Sequence, residues 1–123
     1  MNAVERFLKT QQRNAWIGEP GIEIYVRKGY YFHPTTQRQV MCFVVANVSV
    51  DLDEQDKGTF TEWLRRAIDT VRPTGDFEAI QIENVLSRRF TDHFRRLGWI
   101  EAPVLDESHP RCFFLDLDAG GAE

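Results

Sequence analysis

Apolar and polar residues follow two different spacings along the chain, and these spacings separate predicted strands from predicted helices. The segment Ile22–Arg27 alternates apolar with polar residues, which is the two-residue period of a strand with one wet face. The run Val40–Ala46 is apolar without alternation, as in a strand that is covered on both faces. Alternation returns at Asn47. We therefore predict one long strand that starts buried and ends at a half-open site.

Three segments have helical spacing. The first is Asn2–Ala15, and the third runs from a capping Ser87 to the terminating Gly98. The second follows Gly58, where apolar residues recur at offsets of 3, 4, 7, 8 and 11 from the first of them. The inward residues predicted for the three helices are Val4, Phe7 and Leu8; Phe60, Trp63, Leu64, Ala67, Ile68 and Val71; and Phe90, Phe94 and Leu97.

Further strands are predicted at Ala79–Val85, at Trp99–Ile100 and at Cys112–Leu117. The predicted order is helix, one or two strands, long strand, helix, strand, helix, strand. Strand–helix–strand units imply parallel neighbours with a right-handed crossover, whereas early strands joined by short turns are antiparallel. We predict a single α/β domain over residues 1–123, with a mixed central sheet and flanking helices.

Composition narrows the classes of partner. The chain has 123 residues, 15 of them basic and 19 acidic, which gives a formal net charge of −4. This balance predicts no general attraction to nucleic acid or to an anionic membrane. The N-terminus lacks the apolar core of a signal peptide, and no apolar stretch reaches membrane-spanning length. The expectation is a soluble, cytoplasmic protein with no nucleic-acid and no membrane partner.

Cysteine and histidine residues offer no predicted metal site. Cys42 and Cys112 each lie in an apolar run, so we predict two buried thiols without a disulfide. His33 and His109 both precede a proline, and they are predicted to lie in a turn and in a loop, respectively. The three histidines are far apart in sequence, and no zinc-type ligand spacing is present.

The segment Val50–Phe60 carries the clearest chemistry, because a buried strand enters a short loop that opens a helix. The first backbone N–H groups of a helix have no partner inside it, and with the helix dipole they attract an anion. Gly58 permits close approach of a ligand to the backbone, and Lys57 adds a positive charge. Three acids, Asp51, Asp53 and Glu54, oppose a phosphate unless they point away.

The spacing of this loop resembles that of the GNAT acetyltransferase superfamily. In that family a strand valine is followed, five residues later, by Gln/Arg-x-x-Gly-x-Gly/Ala. Here Gln55-Asp56-Lys57-Gly58-Thr59-Phe60 follows Val50 at that distance. Phe60 departs from the pattern; its side chain either crowds the pyrophosphate or turns into the core.

A second stretch resembles the family helix Asn-x-x-Ala-x-x-Leu-Tyr-x-Lys-x-Gly-Phe. Residues 87–99 read SRRFTDHFRRLGW and share its basic residue, at Arg96, and its Gly-aromatic ending. Ser87 stands where Asn is common, and Asn84 is a candidate to replace that Asn. Family members usually have more chain before the long strand. The resemblance is therefore to a compact member with a shortened N-terminal part, of a kind found among small phage-encoded acetyltransferase-like proteins.

The resemblance implies acetyl-CoA as the cofactor, held where two central strands diverge. Backbone groups near Val48 and Val50 would bind pantetheine like an added strand, and the loop amides would hold the pyrophosphate. Lys57, Arg88 and Arg89 would reach the adenosine-side phosphates. The implied cofactor-binding residues are Val48, Val50, Gln55, Asp56, Lys57, Gly58, Thr59, Phe60, Asn84, Ser87 and Arg88.

Acetyl transfer to an amine also needs a base and an acid for the leaving thiolate. Family members often use a helix tyrosine as the acid. Phe94 stands at that position without a hydroxyl, and Ser87 and His93 are the nearby alternatives. Glu83 is the predicted base, on the strand that would border the opening. Its alternative is a surface carboxylate paired with an arginine, and the rival bases are Glu23 and Tyr25.

The resulting hypothesis is an acetyl-CoA-dependent N-acetyltransferase that acts on an amine of a small molecule or protein. The alternative is a catalytically inactive binding module with the same fold, for example a phage-encoded inhibitor of a host protein. A third reading is an unrelated α/β protein with a coincidental loop. Aromatic residues on the early strands, if exposed, would favour a homodimer.

Overall fold

The computed structural model describes residues 2–50, 58–85, 88–103 and 110–117, with only the backbone of residues 50, 88 and 89. Within these residues the helices are α1 (Ala3–Leu8), α2 (Thr59–Val71) and α3 (Arg88–Arg96). A 3₁₀ turn, Arg72–Thr74, extends α2. The strands are β1 (Asn14–Glu19), β2 (Ile22–Phe32), β3 (Gln39–Val50), β4 (Ala79–Val85), β5 (Ile100–Glu101) and β6 (Arg111–Asp116).

These strands form one mixed sheet in the order β1-β2-β3-β4-β6-β5. The pair β3–β4 is parallel, and every other neighbouring pair is antiparallel. The predicted α/β fold, with antiparallel early strands and a parallel pair across α2, is confirmed. The parallel relation that the same rule implied across α3 is wrong, because β4 and β6 pair antiparallel and β5 lies at the edge beyond β6. None of the helices in the described ranges has the length and apolar content needed to span a bilayer.

The predicted first helix, Asn2–Ala15, is wrong beyond its first turns. A capping box holds α1 at its start, because Asn2 Oδ1 accepts from Glu5 N at 2.8 Å and Glu5 Oε1 accepts from Asn2 N at 3.1 Å. The helix ends at Leu8, and β1 then pairs with β2 along its whole length. Ala15 and Ile17 pack on the core with a strand's period of two. The predicted helix therefore overlaps the start of β1 at Asn14 and Ala15.

All three helices pack against one face of the sheet. Their buried side chains join inward residues of the strands in a single cluster, whose largest members include Phe7, Phe43, Trp63, Phe94 and Phe113. A second, smaller cluster lies on the opposite face, and no described helix contributes to it. It comprises Val40, Cys42, Val44, Ala46, Ala79 and Phe114. Since β3 supplies both clusters, its apolar run has the two-sided burial that the sequence predicted.

Gly98 ends α3 in the predicted place, with φ +84°. Trp99 N donates to Phe94 O at 3.1 Å and Gly98 N to Arg95 O at 3.1 Å, which is a Schellman arrangement. The prediction that Leu97 faces inward is wrong, because its side chain is 60% exposed. The left-handed turn at Gly98 instead brings Trp99 back over Phe94, with ring centroids 5.1 Å apart.

Candidate functional site

The central strands β3 and β4 pair over only part of their length. Their parallel register runs from Cys42↔Ala79 to Val45↔Ile82 and stops there. Beyond that point β3 continues to Val50 and β4 to Val85 without pairing to each other. The result is an opening between the carboxyl ends of two adjacent parallel strands, which we call the split.

A β-bulge lies beside the split on each strand. In the β2–β3 ladder Tyr25 pairs with Asn47 and Val26 with Val45, so Ala46 is one extra residue on β3. In the β4–β6 ladder the register slips by one residue between Ile82 and Val85. A bulge bends its strand and increases the local twist. Two bulges at the level where pairing ends therefore account for the divergence of β3 from β4.

Asn84 occupies the bulge on β4 and bridges the split. Its backbone φ is +59°, in the left-handed region that asparagine tolerates better than most residues. Its Nδ2 donates to the carbonyl oxygen of Ala46, the bulge residue of β3, at 3.0 Å. One side chain thus satisfies a backbone acceptor that the interrupted sheet leaves without a strand partner.

The start of α2 lies at the same edge of the sheet as the split. Gly58 precedes the helix with φ +75°, and a Cβ placed there would meet nothing within 4 Å. The ring of Phe60 contacts that of Phe90, with centroids 5.6 Å apart, so the first turns of α2 and α3 are neighbours. Crevices at the carboxyl ends of parallel strands are the usual ligand positions in open α/β sheets.

Phe60 turns into the core and is 8% exposed. It stacks on Trp63 at 6.3 Å as the first member of the apolar stripe of α2. Its side chain therefore does not crowd the open space before the helix, and its backbone amide belongs to the first turn. This position agrees with the second of the two alternatives considered from the sequence.

Several predicted cofactor residues lie outside the described residues: Gln55, Asp56, Lys57, Ser87 and the side chains of Arg88 and Arg89. Their roles stay predictions. Of the others, Val48 and the backbone of Val50 lie on β3 beyond its last pair with β4, along the split. Thr59 and Phe60 lie in the first turn of α2, and Asn84 bridges the two strands.

Glu83 is the residue of β4 directly after its last pair with β3, and it faces the side of the sheet without helices. Its Oε1 forms an ion pair with Arg27 Nη2 of β2. Its Oε2 accepts from Gln81 Nε2 at 3.3 Å. The Arg27 guanidinium lies 5.8 Å from the ring centroid of Tyr31. Glu83 thus has the arginine partner that the alternative interpretation named, and its role as base stays a prediction.

Two cysteine thiols lie on this helix-free face, and neither is in a disulfide. Burial raises the pKa of the Cys42 thiol to about 12. Burial also raises the pKa of Cys112, whose Sγ accepts from Gln81 Nε2 at 3.0 Å. Both side chains are therefore neutral thiols at physiological pH, which makes them poor nucleophiles. The predicted pair of unlinked, largely buried thiols agrees with this arrangement.

Phe94 is 1% exposed and lies among Phe90, Trp99 and Phe113. Its ring points into the helix-side core, so this position supplies no acid to the split. His93 is half-buried, with its ring 5.6 Å from that of Phe94. The rival bases lie on β2, where Glu23 is exposed and Tyr25 packs against Trp16 with centroids 5.3 Å apart.

A buried histidine pairs with a partly exposed aspartate that the sequence did not indicate. His33 is 5% exposed, and its Nε2 lies 2.8 Å from Asp116 Oδ1 on β6. Its Nδ1 accepts from Thr35 N at 3.1 Å, so Nε2 carries the proton and donates to the carboxylate. The two residues are 83 positions apart. Only the sheet order brings them together, and local spacing offers no indication of it.

Comparison with known proteins identifies the fold. No protein-family model matches the sequence, and no curated protein is detectably similar to it. Solved structures of GNAT-type toxins are similar in shape at low sequence identity. A mutant of the toxin AtaT, bound to the C-terminus of the antitoxin AtaR and to acetyl-CoA, matches with a TM-score of 0.59 and 14% identity. The match covers 80% of this chain and 60% of AtaT, so the chain spans 60% of the length of that toxin.

Two further structures of this fold contain nucleic acid. AtaT complexed with acetyl-methionyl-tRNAfMet matches with a TM-score of 0.62 and 11% identity over 86% of this chain and 70% of that one. A KacTA–DNA complex matches with a TM-score of 0.61 and 12% identity over 98% and 77%. The prediction that nucleic acid is excluded as a partner is therefore wrong. It rested on net charge, which averages over the surface and does not describe the partners of a fold.

Proposed function

We propose that this protein binds acetyl-CoA in the split between β3 and β4 and transfers the acetyl group to a primary amine. The observation that supports the proposal is the early end of β3–β4 pairing at Val45↔Ile82, between a bulge on each strand. Free strand edges at that level would hydrogen-bond the pantetheine amides as an added strand does. Solved structures of the same fold contain acetyl-CoA.

The start of α2 would bind the pyrophosphate. Gly58 has no side chain to block the approach, and a Cβ at this position would point into open space. Amide groups of the first helical turn, from Thr59 and Phe60, would donate to phosphate oxygens, with Gln55, Asp56 and Lys57 of the preceding loop as further predicted contacts. Arg88, the first residue of α3, and Ser87 are proposed for the adenosine side.

The chemical step forms a C–N bond and breaks the thioester C–S bond. An ammonium group loses two protons in all and the CoA thiolate gains one, so one proton is released to solvent overall. Glu83 is the proposed carboxylate for the first proton, since it follows the last β3–β4 pair directly and Arg27 holds one of its oxygens. Phe94 supplies no acid, so the thiolate would take its proton from water.

The proposed acceptor is the α-amino group of an aminoacyl-tRNA. AtaT, of the same fold, has been solved with acetyl-methionyl-tRNAfMet, the product of such a transfer. Amines of small molecules or proteins, which the sequence had suggested, are the alternatives. Purified protein would be incubated with acetyl-CoA and either aminoacyl-tRNA, a panel of small amines or bacterial lysate proteins. If an amine other than the aminoacyl group is acetylated, that amine is the acceptor and the assignment to aminoacyl-tRNA is wrong.

The cofactor assignment can be tested by calorimetric titration with acetyl-CoA. We expect the native protein to bind and Gly58→Glu to lose at least tenfold in affinity, because a carboxylate would face the pyrophosphate. Gly75→Glu is a matched control: Gly75 has φ +71°, and a Cβ there also meets nothing within 4 Å. It lies after α2, away from the split. Equal binding by both variants, or no binding by the native protein, would remove the proposal.

A second candidate is a binding module that has lost chemistry. The observation in its favour is the burial of Phe94 at 1% exposure, where the family often has tyrosine. A phage-encoded inhibitor of a host protein stays a prediction of this kind. Acetyl-CoA binding without turnover on aminoacyl-tRNA, small amines or lysate proteins would favour this candidate, and steady turnover would end it.

A further inference from the structure

Two buried polar atoms of opposite character lie in the group of side chains around Glu83. Gln81 Oε1 is an acceptor, and Arg27 Nε carries a donor hydrogen. Within the described residues, neither atom has a hydrogen-bond partner. Gln81 as a whole is only 6% exposed. Both residues contact the Glu83 carboxylate, Gln81 through Nε2 and Arg27 through Nη2. The two unpartnered atoms therefore belong to one connected group.

The orientation of the Gln81 amide follows from its neighbours. Its nitrogen faces Glu83 Oε2 at 3.3 Å and Cys112 Sγ at 3.0 Å. A flipped amide would place two oxygens against each other at the carboxylate, so the nitrogen must lie on that side. The oxygen is then held on the other arm of the amide. A buried acceptor without a partner costs about 1–3 kcal/mol, and such a group in a native protein calls for an explanation.

The position of this group relative to the split supplies the explanation. Gln81 and Glu83 alternate on β4 with Ile80 and Ile82, which pack on the helix side, so both polar residues face the helix-free side. Glu83 directly follows the last β3–β4 pair. A cofactor whose pyrophosphate lies at α2, on the helix side, would pass its thioester through the split toward this group. An acceptor would meet the thioester from the helix-free side.

We propose that Gln81, Glu83 and Arg27 form the acceptor-binding site and that the acceptor is an α-amino ester or amide. The ammonium group donates to Gln81 Oε1 and to the Glu83 carboxylate, which has lone pairs left after its two contacts. The carbonyl oxygen, one carbon away from the amine, accepts from Arg27 Nε. One ligand of this class satisfies both unpartnered atoms. The inference rests on the proposed function and adds specificity-determining residues to it.

The test compares two amines that differ by one group. Methioninamide carries the carbonyl, and 3-(methylthio)propylamine lacks it. At saturating acetyl-CoA, with kcat/KM referred to the neutral amine, we expect the native protein to prefer methioninamide at least tenfold. Arg27→Lys keeps a cation for Glu83 but removes Nε and should bring the ratio close to one. Gln81→Met, similar in volume, should raise the KM of both amines about tenfold. The exposed residues Arg38 and Gln39 provide the controls Arg38→Lys and Gln39→Met.

The affinity for acetyl-CoA separates this inference from the proposed function, because it should be unchanged in all four variants. If the native protein binds acetyl-CoA but treats both amines alike, or if Gln81→Met leaves the acceptor KM unchanged, the acceptor site is wrong and the cofactor site stands. If turnover is absent, the CoA-loaded protein is titrated with each amine by NMR. A shift of the Gln81 side-chain amide resonances with methioninamide, together with a smaller shift with 3-(methylthio)propylamine, supports the acceptor site. The absence of any shift overturns the acceptor site.

Discussion

At the scale of single residues, Phe94 shows how burial limits what a side chain can do. It is 1% exposed, with Trp99 and Phe113 rings at 5.1 and 5.3 Å. We expect Phe94→Tyr to lower the free energy of unfolding by about 1–3 kcal/mol, because it buries a hydroxyl among aromatic rings. We also expect no gain in acetylation rate. Urea denaturation and a thiol-release assay measure the two effects.

Phe32 is a suitable control for this change because it is 64% exposed. Phe32→Tyr should leave stability within about 0.5 kcal/mol of the native value. If Phe94→Tyr is instead as stable as the native protein and acetylates faster, the ring would be facing the split, contrary to the structure.

The two thiols make a prediction about reactivity and pH. The pKa of Cys42 is raised to about 12 by burial, so the group stays protonated until the pH approaches that value. We expect no reaction of Cys42 with a thiol-specific disulfide reagent at pH 8, and reaction of both cysteines once the protein is unfolded in guanidinium chloride. The less buried Cys112 is the internal comparison. Rapid labelling of Cys42 in the folded protein, located by mass spectrometry, would contradict its burial.

Local spacing predicted single residues well where one helix decides their environment. Phe60 and Trp63 fall on one stripe of α2, and both are buried as that stripe requires. Gln81, Arg27 and His33 could not be found in this way, since their partners come from strands that are distant in sequence. Their roles depend on sheet order, which periodicity does not determine.

At the scale of elements, two substitutions at the Asn84 bulge distinguish the energetic contribution of its backbone conformation from that of its side-chain hydrogen bond. Asn84→Gly keeps the left-handed φ of +59° but loses the bond to Ala46 O. Asn84→Ala loses the same bond and also places a Cβ in that region. We expect the glycine variant to lose about 1 kcal/mol and the alanine variant about 1–2 kcal/mol more. Chemical denaturation would measure both, and equal stabilities of the two variants would show that φ is relaxed.

An ion-pair group joins α3 to β5 and β6. Glu101 Oε1 lies 2.7 Å from Arg95 Nε, and Glu101 Oε2 lies 3.2 Å from Arg111 Nη1. The hydrogen bond from Arg95 lowers the pKa of Glu101 below its usual value of 4.5. A carboxylate with a lowered pKa in the folded state stabilises the fold above its unfolded-state pKa. That stabilisation is lost as the pH falls through the lowered folded-state value.

Glu101→Gln should therefore be less stable than the native protein at pH 7, with a difference that shrinks as the pH falls below about 4.5 toward the lowered value. Melting temperatures between pH 7 and pH 3 would measure this. Glu62→Gln is a suitable comparison, because Glu62 pairs with Arg65 of the same helix, on the exposed surface of α2, and this pair does not join two elements. A constant difference across the range would show that Glu101 does not titrate with a lowered pKa.

The sequence predicted most elements, but it ended the first helix too late and did not predict β1, for a physical reason. Val4, Phe7 and Leu8 fit a helix, and Ala15 also continues their helical stripe, although Ala15 belongs to β1. Hydrogen bonds to β2 decide between the two, and β2 lies later in the chain. In β3 the pattern of apolar and polar residues also contains an indication of the bulge. Alternation resumes at Asn47 because Ala46 is the extra residue of a bulge.

At the scale of the whole molecule, the two faces of the sheet are covered unequally. The described helices all pack on one face, and the opposite face keeps a small apolar cluster beside the polar group around Glu83. The proposed cofactor and acceptor therefore approach the split from opposite sides of the sheet. Trp16, 54% exposed on β1, and Tyr25 also lie on the helix-free side. That side is where an acceptor larger than an amino acid would continue.

The bulge at Ala46 has one more consequence, which concerns chain length rather than chemistry. Met41, Phe43, Val45 and Val48 all face the helices, so the spacing of inward residues is two, two and three. Deleting Ala46 would make the spacing even and leave every one of these side chains on its present face. We expect such a shortened protein to fold and to pair β3 with β4 over more residues. It should lose acetyl-CoA binding, whereas Ala46→Ser should retain acetyl-CoA binding. The presence of one residue in β3 would then decide whether the sheet can bind a ligand.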